Sequence, residues 1–106
     1  MPVRNIRRRY IAFQVRGESE VTGGELFDAV VSGFRLLYGV KGLSDAGLKL
    51  IEYDAAVRRG VIRCSHFHLA GARAALARVV ELRGAPASIQ VERVSGTIRS
   101  LRDARL

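Results

Sequence analysis

The sequence predicts an α+β sandwich with the element order βαββαβ and a short C-terminal helix, and three observations carry that expectation. Short apolar stretches at residues 9–16 and 88–94 alternate with period two, as strands with one buried side do. Two longer stretches repeat apolar residues at helical spacing, each starting at a helix-capping residue. The chain has 106 residues, of which 48% are hydrophobic. That suits one domain with a small core and is too apolar for disorder.

In chain order, Arg9-Tyr-Ile-Ala-Phe-Gln-Val-Arg16 sets Ile11, Phe13 and Val15 on one face and Tyr10, Ala12 and Gln14 on the other. Thr22-Gly-Gly-Glu25 follows. The threonine hydroxyl can accept an orphan helix N–H while the glutamate reaches back, so the first helix is expected to open with a capping box. Leu26, Phe27, Val30, Val31, Phe34 and Leu37 recur at helical spacing, and Gly39 is expected to stop the helix ahead of a loop at 40–47. Residues 48–54 and 60–64 read as the second and third strands. Ser65 is expected to cap a second helix whose buried stripe is Leu69, Ala72, Leu76, Val79 and Val80, with Gly84 and Pro86 ending it. Residues 88–94 form the fourth strand and 97–106 the final helix. Two interleaved strand–helix–strand crossovers of this kind give the ferredoxin-like sandwich, a topology shared with the RNA-recognition motif. That motif stacks bases on aromatic residues of its two central strands. Here the third strand, Arg59-Gly-Val-Ile-Arg-Cys64, has no aromatic residue, and only Tyr10 and Tyr53 are placed to stack.

Basic residues outnumber acidic ones by 18 to 10, for a net charge of +8, and all but Lys41 and Lys49 are arginine. The planar arginine fork matches phosphate oxygens two at a time, so nucleic acid is the first partner to consider. The charge is also segregated. Residues 1–10, with Arg4, Arg7, Arg8 and Arg9, balance at +4, residues 11–57 at −3 and residues 58–106 at +7. Two basic ends flanking an acidic middle point to two faces with different partners, nucleic acid at the ends and protein at the middle.

Catalytic constellations are weak. Cys64-x-His66-x-His68 offers three candidate ligands where a structural zinc wants four, and residues two apart straddling a strand end do not share a face. Cys64 reads as a small core residue, and as a lone cysteine it excludes a disulfide scaffold and suits a reducing compartment. No carboxylates pair as acid and base, and no glycine-rich nucleotide loop is present. The residues therefore predict no catalytic site, no metal site and no cofactor held by the protein. A small acylphosphatase-like hydrolase is the enzymatic alternative, but Arg16-Gly-Glu-Ser-Glu20 after the first strand is too acidic to hold a phosphate. A ribosomal or other structural RNA-binding protein is the second alternative. No apolar run approaches the ~18 residues of a membrane span, so the expectation is a soluble, cytoplasmic protein with no membrane partner.

The RNA-binding candidates fall in three groups. Val94-Ser-Gly-Thr-Ile-Arg-Ser-Leu-Arg102 leaves a strand, turns on Gly96 and enters a helix, so Ser95, Gly96 and Thr97 form a candidate anion cradle flanked by Arg99 and Arg102. Arg7, Arg8 and Arg9 lead into the first strand, which lies next to the fourth in this topology and so delivers both basic ends to one patch. Arg58, Arg59 and Arg63 form the third group. In the first helix, Phe27, Val31, Phe34 and Tyr38 cannot all face the sheet together with Leu26, Val30 and Leu37, so part of this wide stripe is expected to form a protein–protein surface.

Four segments carry a family resemblance: Arg8-Arg-Tyr-Ile-Ala-Phe13, Leu50-Ile-Glu-Tyr-Asp54, Gly60-Val-Ile-Arg63 with Ser65 after it, and Val94-Ser-Gly-Thr-Ile-Arg99. In this order, from about Arg8 to Arg102, the chain resembles archaeal ribonuclease P protein component two. The resemblance implies a protein cofactor of an RNA enzyme that removes the 5′ leader from precursor tRNA, with the RNA as catalyst and Mg²⁺ in the RNA active site. It also implies a partner, the TIM-barrel-like ribonuclease P protein component three, in a pair that can form a dimer of heterodimers and so bring two copies of this chain together. The related eukaryotic subunit also serves the mitochondrial-RNA-processing ribonucleoprotein. Family members often carry a basic tail past the final helix, whereas this sequence ends at Leu106, so contacts of such a tail are not carried over.

Overall fold

The computed structural model describes residues 6–103. Arg4 of the N-terminal basic block and the last residues of the expected final helix, 104–106, lie outside the described residues. The elements are β1 (Arg8–Gly17), α1 (Gly23–Ala46), β2 (Lys49–Asp54), β3 (Arg59–Ser65), a 3₁₀ turn (His66–His68), α2 (Leu69–Arg78), β4 (Glu81–Leu82), β5 (Ala85–Ser95) and α3 (Ile98–Asp103). The strands form one antiparallel sheet in the order β2-β3-β1-β5-β4. Apart from the short edge strand β4, this is the expected ferredoxin-like arrangement.

Period-two alternation in β1 decides which side of the sheet is covered by the two long helices. Ile11, Phe13 and Val15 meet Leu26, Val30 and Phe34 of α1, Ala72, Ala75 and Leu76 of α2, and Ile62 and Cys64 of β3 in the main core. On the opposite face Ala12 and Val61 are also buried, because Leu101 of α3 packs over them with Tyr10 and Ile51 at the margin. The sheet is thus covered on both sides, by two helices on the inner face and by one short helix on part of the outer face.

Three boundaries differ from the sequence expectation. The capping box forms as expected: Glu25 N–H donates to Thr22 Oγ1 (3.1 Å) and Thr22 N–H to Glu25 Oε1 (3.2 Å). Gly39 does leave helical geometry (φ 77°, ψ 177°), but the chain resumes the helix and runs on to Ala46, so 40–46 are helical and not a loop. A glycine interrupts a helix where a positive φ is required, and nothing prevents regrowth beyond it.

α2 ends at Arg78 without help from Gly84 or Pro86. Val79 is extended and buried, so Val80, on the opposite side of an extended chain, is exposed and leaves the expected stripe. Gly84 instead shares a two-residue hairpin turn with Arg83, both at positive φ (53° and 77°), flanked by the Leu82–Ala85 pair. Positive φ at both central residues gives strands the twist they need to pair, and this turn starts β5 three residues earlier than its alternation indicates.

The third difference is in β5. Ala12 pairs with Arg93 but Phe13 with Val91, so Glu92 is an extra, bulged residue. Past the bulge the parity of the strand inverts. Ile89, Val91 and Val94 contribute to the main core, while Arg93 shares the outer face with Ala12.

Leu101 is fully buried, and it is the side chain by which α3 is held on Ala12 and Val61. Leu101→Ala is expected to lower unfolding stability by about 2–5 kcal/mol. In hydrogen exchange, the amides of α3 should lose protection ahead of those of β1. Denaturant titration and exchange at α3 check this.

Candidate nucleic-acid interface

The two basic ends meet where β1 and β5 pair. Tyr10 lies opposite Ser95, and a Cβ placed on Gly96 would sit 3.6 Å from Arg9 Nη1. The Arg9 guanidinium is therefore against the Ser95-Gly96-Thr97 turn. Arg7 and Arg8 are exposed beside it. The Arg7 N–H donates to His66 Nδ1 (3.0 Å) and the Arg7 carbonyl accepts from the His66 N–H (2.8 Å), which fastens the start of β1 to the end of β3.

Inside the turn, two amides that would cradle an anion are already used. Thr97 N–H donates to Ser95 Oγ (3.3 Å) and Ser100 N–H to Thr97 Oγ1 (3.1 Å), so Thr97 is a conventional cap. The turn's positive character therefore comes from the guanidinium groups of Arg9 and Arg99. Arg99 is exposed. Arg102 departs from the expected pair with it, because its Nη2 reaches back 3.1 Å to Glu52 Oε2 of β2 and tethers α3 to the sheet.

The outer face of the sheet holds the remaining candidates. Arg59 lies opposite Gln14, and its Nε sits 3.2 Å from Glu92 Oε1, with Nη2 donating to Oε2 (3.3 Å). Arg63 lies opposite Tyr10 on the same face. Between α3 and the strands opens a cleft of about 590 Å³, lined among others by Glu52, Asp54, Arg59, Glu92, Arg93 and Leu101. Arg93 is exposed on this face and was missed by sequence reasoning. Plain alternation from Ile89 and Val91 puts position 93 inside. Only the bulge at Glu92 turns it outward, and no residue in the sequence marks that bulge.

Arg58 is placed differently. At positive φ (56°) in the turn after β2, its Nη1 donates to the Gly17 carbonyl and its Nη2 to the Glu18 carbonyl (3.5 Å), while its own carbonyl accepts from Val15 N–H (2.8 Å). It ties the β2–β3 turn to the end of β1 and so lies apart from Arg59 and Arg63 in role. Arg83 is a second tie, to Glu25 Oε2 (3.3 Å) and the Glu20 carbonyl (3.1 Å).

The expected protein-interface stripe needs correction. Phe34 is fully buried in the core, Phe27 is partly buried against it and Val31 is half-buried. A ring at the centre of the helix–helix contact cannot also serve a partner. Of the four, only Tyr38 is well exposed (47%), and its exposed apolar neighbours are Leu36, Leu37 and Val40 around the break at Gly39.

Cys64, His66 and His68 do not converge. Cys64 is buried beside Ile62, His66 holds Arg7, and the His68 ring lies 6.5 Å from that of Phe34. Burial pushes the Cys64 thiol up to about 11, with Arg9 opposing that shift. Tyr53, read as a possible stacking residue, lies on the inner face with its ring stacked 6.3 Å from that of Phe13, and burial raises its pKa. Among the described residues no three His, Cys, Asp or Glu side chains gather, and no helix is long and apolar enough to cross a membrane.

Comparisons with known proteins give the family and the fold. The profile of the Rpp14/Pop5 family matches residues 9–106. The chain belongs to the Rpp14/Pop5 family. It is 33% identical over 101 residues to Ribonuclease P protein component 2 of Pyrococcus furiosus, covering 95% of this chain and 84% of that protein. It is 30% identical over 99 residues to the protein of the same name from Methanosarcina acetivorans, covering 93% of this chain and 74% of that one. Its fold also matches a chain in the cryo-EM structure of yeast Ribonuclease MRP, with a TM-score of 0.71 at 9% identity, over 98% of this chain and 95% of that chain. Within the Rpp14/Pop5 profile fall all three groups of RNA-binding candidates except Arg7 and Arg8.

Two outcomes follow for this Rpp14/Pop5 chain. Cys64 should react slowly with iodoacetamide at pH 8 when folded and rapidly in denaturant. The neutral thiol is the buried form, so its contribution to stability is complete below its ordinary value of 9.0 and is lost as pH rises toward about 11. A pH series of unfolding midpoints and a thiol-labelling time course check both signs. Separately, Arg58→Gln should cost about 1–2 kcal/mol of stability and leave the salt dependence of RNA binding unchanged. Arg93→Gln should leave the melting temperature unchanged and reduce the salt slope by about one. Thermal melts beside RNA titrations at several salt concentrations separate the two roles.

Proposed function

We propose that this chain is an RNA-binding protein subunit of a ribonuclease P ribonucleoprotein, assisting a catalytic RNA in removing 5′ leaders from precursor tRNA. The observation that carries the reading is the match to ribonuclease P component 2 proteins along more than nine-tenths of the chain. The site is consistent with it. Arg9 lies against the Gly96 turn, Arg99 is exposed near it, and the outer sheet face adds Arg63 and Arg93. Guanidinium groups at these positions suit phosphate contacts, which position an RNA without reading its sequence.

The chain's part in catalysis would be electrostatic. A folded RNA crowds its own phosphates, and fixed guanidinium groups reduce that repulsion, so less Mg²⁺ is needed to hold the active fold. The His, Cys, Asp and Glu side chains described do not fit a protein-held Mg²⁺. The ion would belong to the RNA, where it supplies Lewis-acid chemistry, and no step is assigned to it on this chain. For the protein partner, component three or a second copy of this chain, the exposed apolar residues Leu36, Leu37, Tyr38 and Val40 around Gly39 provide the surface.

Reconstitution with the cognate RNA and the barrel partner tests the reading. Arg9→Gln/Arg99→Gln should raise the Mg²⁺ needed for half-maximal cleavage and flatten the salt dependence of RNA binding by about one to two counterions. Cleavage at saturating Mg²⁺ should be largely retained. Tyr38→Glu should weaken co-elution with the partner and spare RNA binding. A wild-type protein that leaves the Mg²⁺ dependence of cleavage unchanged would overturn the reading. Turnover of acyl phosphate by the isolated protein would favour a hydrolase in its place.

A further inference from the structure

Four outer-face residues line up in one row across the sheet. Ser95 of β5 lies opposite Tyr10 of β1, Tyr10 opposite Arg63 of β3, and Arg63 opposite Lys49 of β2. Residues directly opposite on antiparallel strands are close neighbours on one face, so Arg63 and Lys49 are adjacent like charges, an arrangement that opposes folding. Among the described residues no carboxylate offsets it. Elsewhere on this face Arg59 is paired with Glu92 and Arg102 with Glu52, yet neither Arg63 nor Lys49 has an acid partner. Arg63 Nε is also buried without a hydrogen-bond partner, a condition that native proteins rarely tolerate.

Beside this uncompensated pair stands an aromatic ring. Of the three tyrosines, Tyr53 is stacked on Phe13 on the inner face and Tyr38 lies on α1, which leaves Tyr10 alone on the outer face. Tyr10 packs against the cluster of Ala12, Val61 and Leu101, so it is supported from below while the residue stays partly exposed. A supported ring next to two unpaired cations combines a stacking surface with phosphate donors, which is how proteins hold single-stranded nucleic acid. An inorganic anion or an acidic peptide would account for the cations but leave the ring without a role.

We infer that the row is a site for one unpaired RNA nucleotide, whose base stacks on Tyr10 while a neighbouring phosphate is held by Arg63 and Lys49. The phosphate supplies, after rotation of the side chain, the acceptor that Arg63 lacks. Recognition there is tolerant of base identity, because every base has a π-face, but it requires a strand that is locally single. The site rests on the RNA-binding reading above and narrows it, since α3 covers the middle of the sheet and leaves room for one stacked base and no longer platform.

The test uses the full chain, a short fluorescein-labelled oligouridylate and a blunt RNA duplex with the same number of phosphates. Tyr10→Leu, which keeps an apolar side chain against that cluster, should weaken oligouridylate binding about tenfold, leave duplex binding unchanged, and be rescued by Tyr10→Phe. Lys49→Gln removes the like-charge pair. It should raise the melting temperature or leave it unchanged, while weakening oligouridylate binding and reducing its salt slope by about one. A folded Tyr10→Leu that binds oligouridylate within about twofold of the parent overturns the site, as does an equal loss toward single strand and duplex. If Tyr10→Leu does not fold, a Lys49→Gln variant with unaltered oligouridylate affinity overturns it. Cleavage assays keep the two readings apart. A parent protein that still lowers the Mg²⁺ requirement while these variants bind normally sinks the site alone, and the reverse pattern sinks the ribonuclease P role alone.

Discussion

The pairing of β1 with β5 is the constraint on which the rest of the molecule depends. β1 is the middle strand, bonded to β3 on one side and β5 on the other, so both of its faces are fixed at once. Its inner residues Ile11, Phe13 and Val15 define the core that α1 and α2 cover, and its outer residue Ala12 is the seat for Leu101. The same pairing brings the end of β5 beside the start of β1, which is why Arg9 lies against Gly96. A single extra residue, Glu92, then inverts the parity of β5. Without that inversion Arg93 would enter the core and Val94 would leave it, so the bulge is both a packing device and a charge-placing device.

The arginines, which look alike in composition, divide by what their guanidinium groups touch. Arg58 and Arg83 sit in turns at positive φ and bond backbone carbonyls of neighbouring segments, so they act as clamps. Arg59 and Arg102 are balanced by glutamates on the outer face. Such exposed pairs add about 0–1 kcal/mol each, and their larger effect is to hold α3 and the sheet in fixed relation. Arg9, Arg63, Arg93 and Arg99 are not balanced in this way by any described carboxylate. These four unbalanced arginines gather at one end and on one face of the sheet, although the sequence spreads them from residue 9 to residue 99.

α3 shapes what that face can accept. It is only six residues long and would not persist alone, since isolated short helices are marginal in water. Leu101 in its pocket and the Arg102–Glu52 pair supply what propensity does not. By occupying the centre of the face it removes the broad stacking surface that a bare four-stranded sheet would present. What remains is a rim of cations with one tyrosine. On the other side, Leu36, Leu37, Tyr38 and Val40 stay apolar and exposed around the break at Gly39, and the continuation of α1 returns to the core through Leu43 and Ala46.

The sequence by itself determined the order βαββαβ and hence the four main strands of the sheet, without the edge strand β4. Alternation in β1, the Thr22–Glu25 capping box and the spacing of Leu26, Val30 and Phe34 are local patterns, and local patterns follow from backbone geometry alone. It also located the two basic ends and, through strand order, their meeting. Legibility failed where the answer depends on a second segment. Gly39 reads as a stop because the rest of the helix is held by tertiary contacts, and Gly84 reads as a helix end because the hairpin exists only when β4 finds β5. Phe34 reads as surplus to the core until α2 closes over it. Arg58, Arg59 and Arg63 form one group in the chain, yet one clamps a turn, one pairs with Glu92 and one faces Tyr10. A charge in a sequence has a sign and a neighbourhood along the chain, but its partner is chosen across strands. Only the tertiary structure decided which arginines are used up in holding the fold and which keep a charge that no described carboxylate balances.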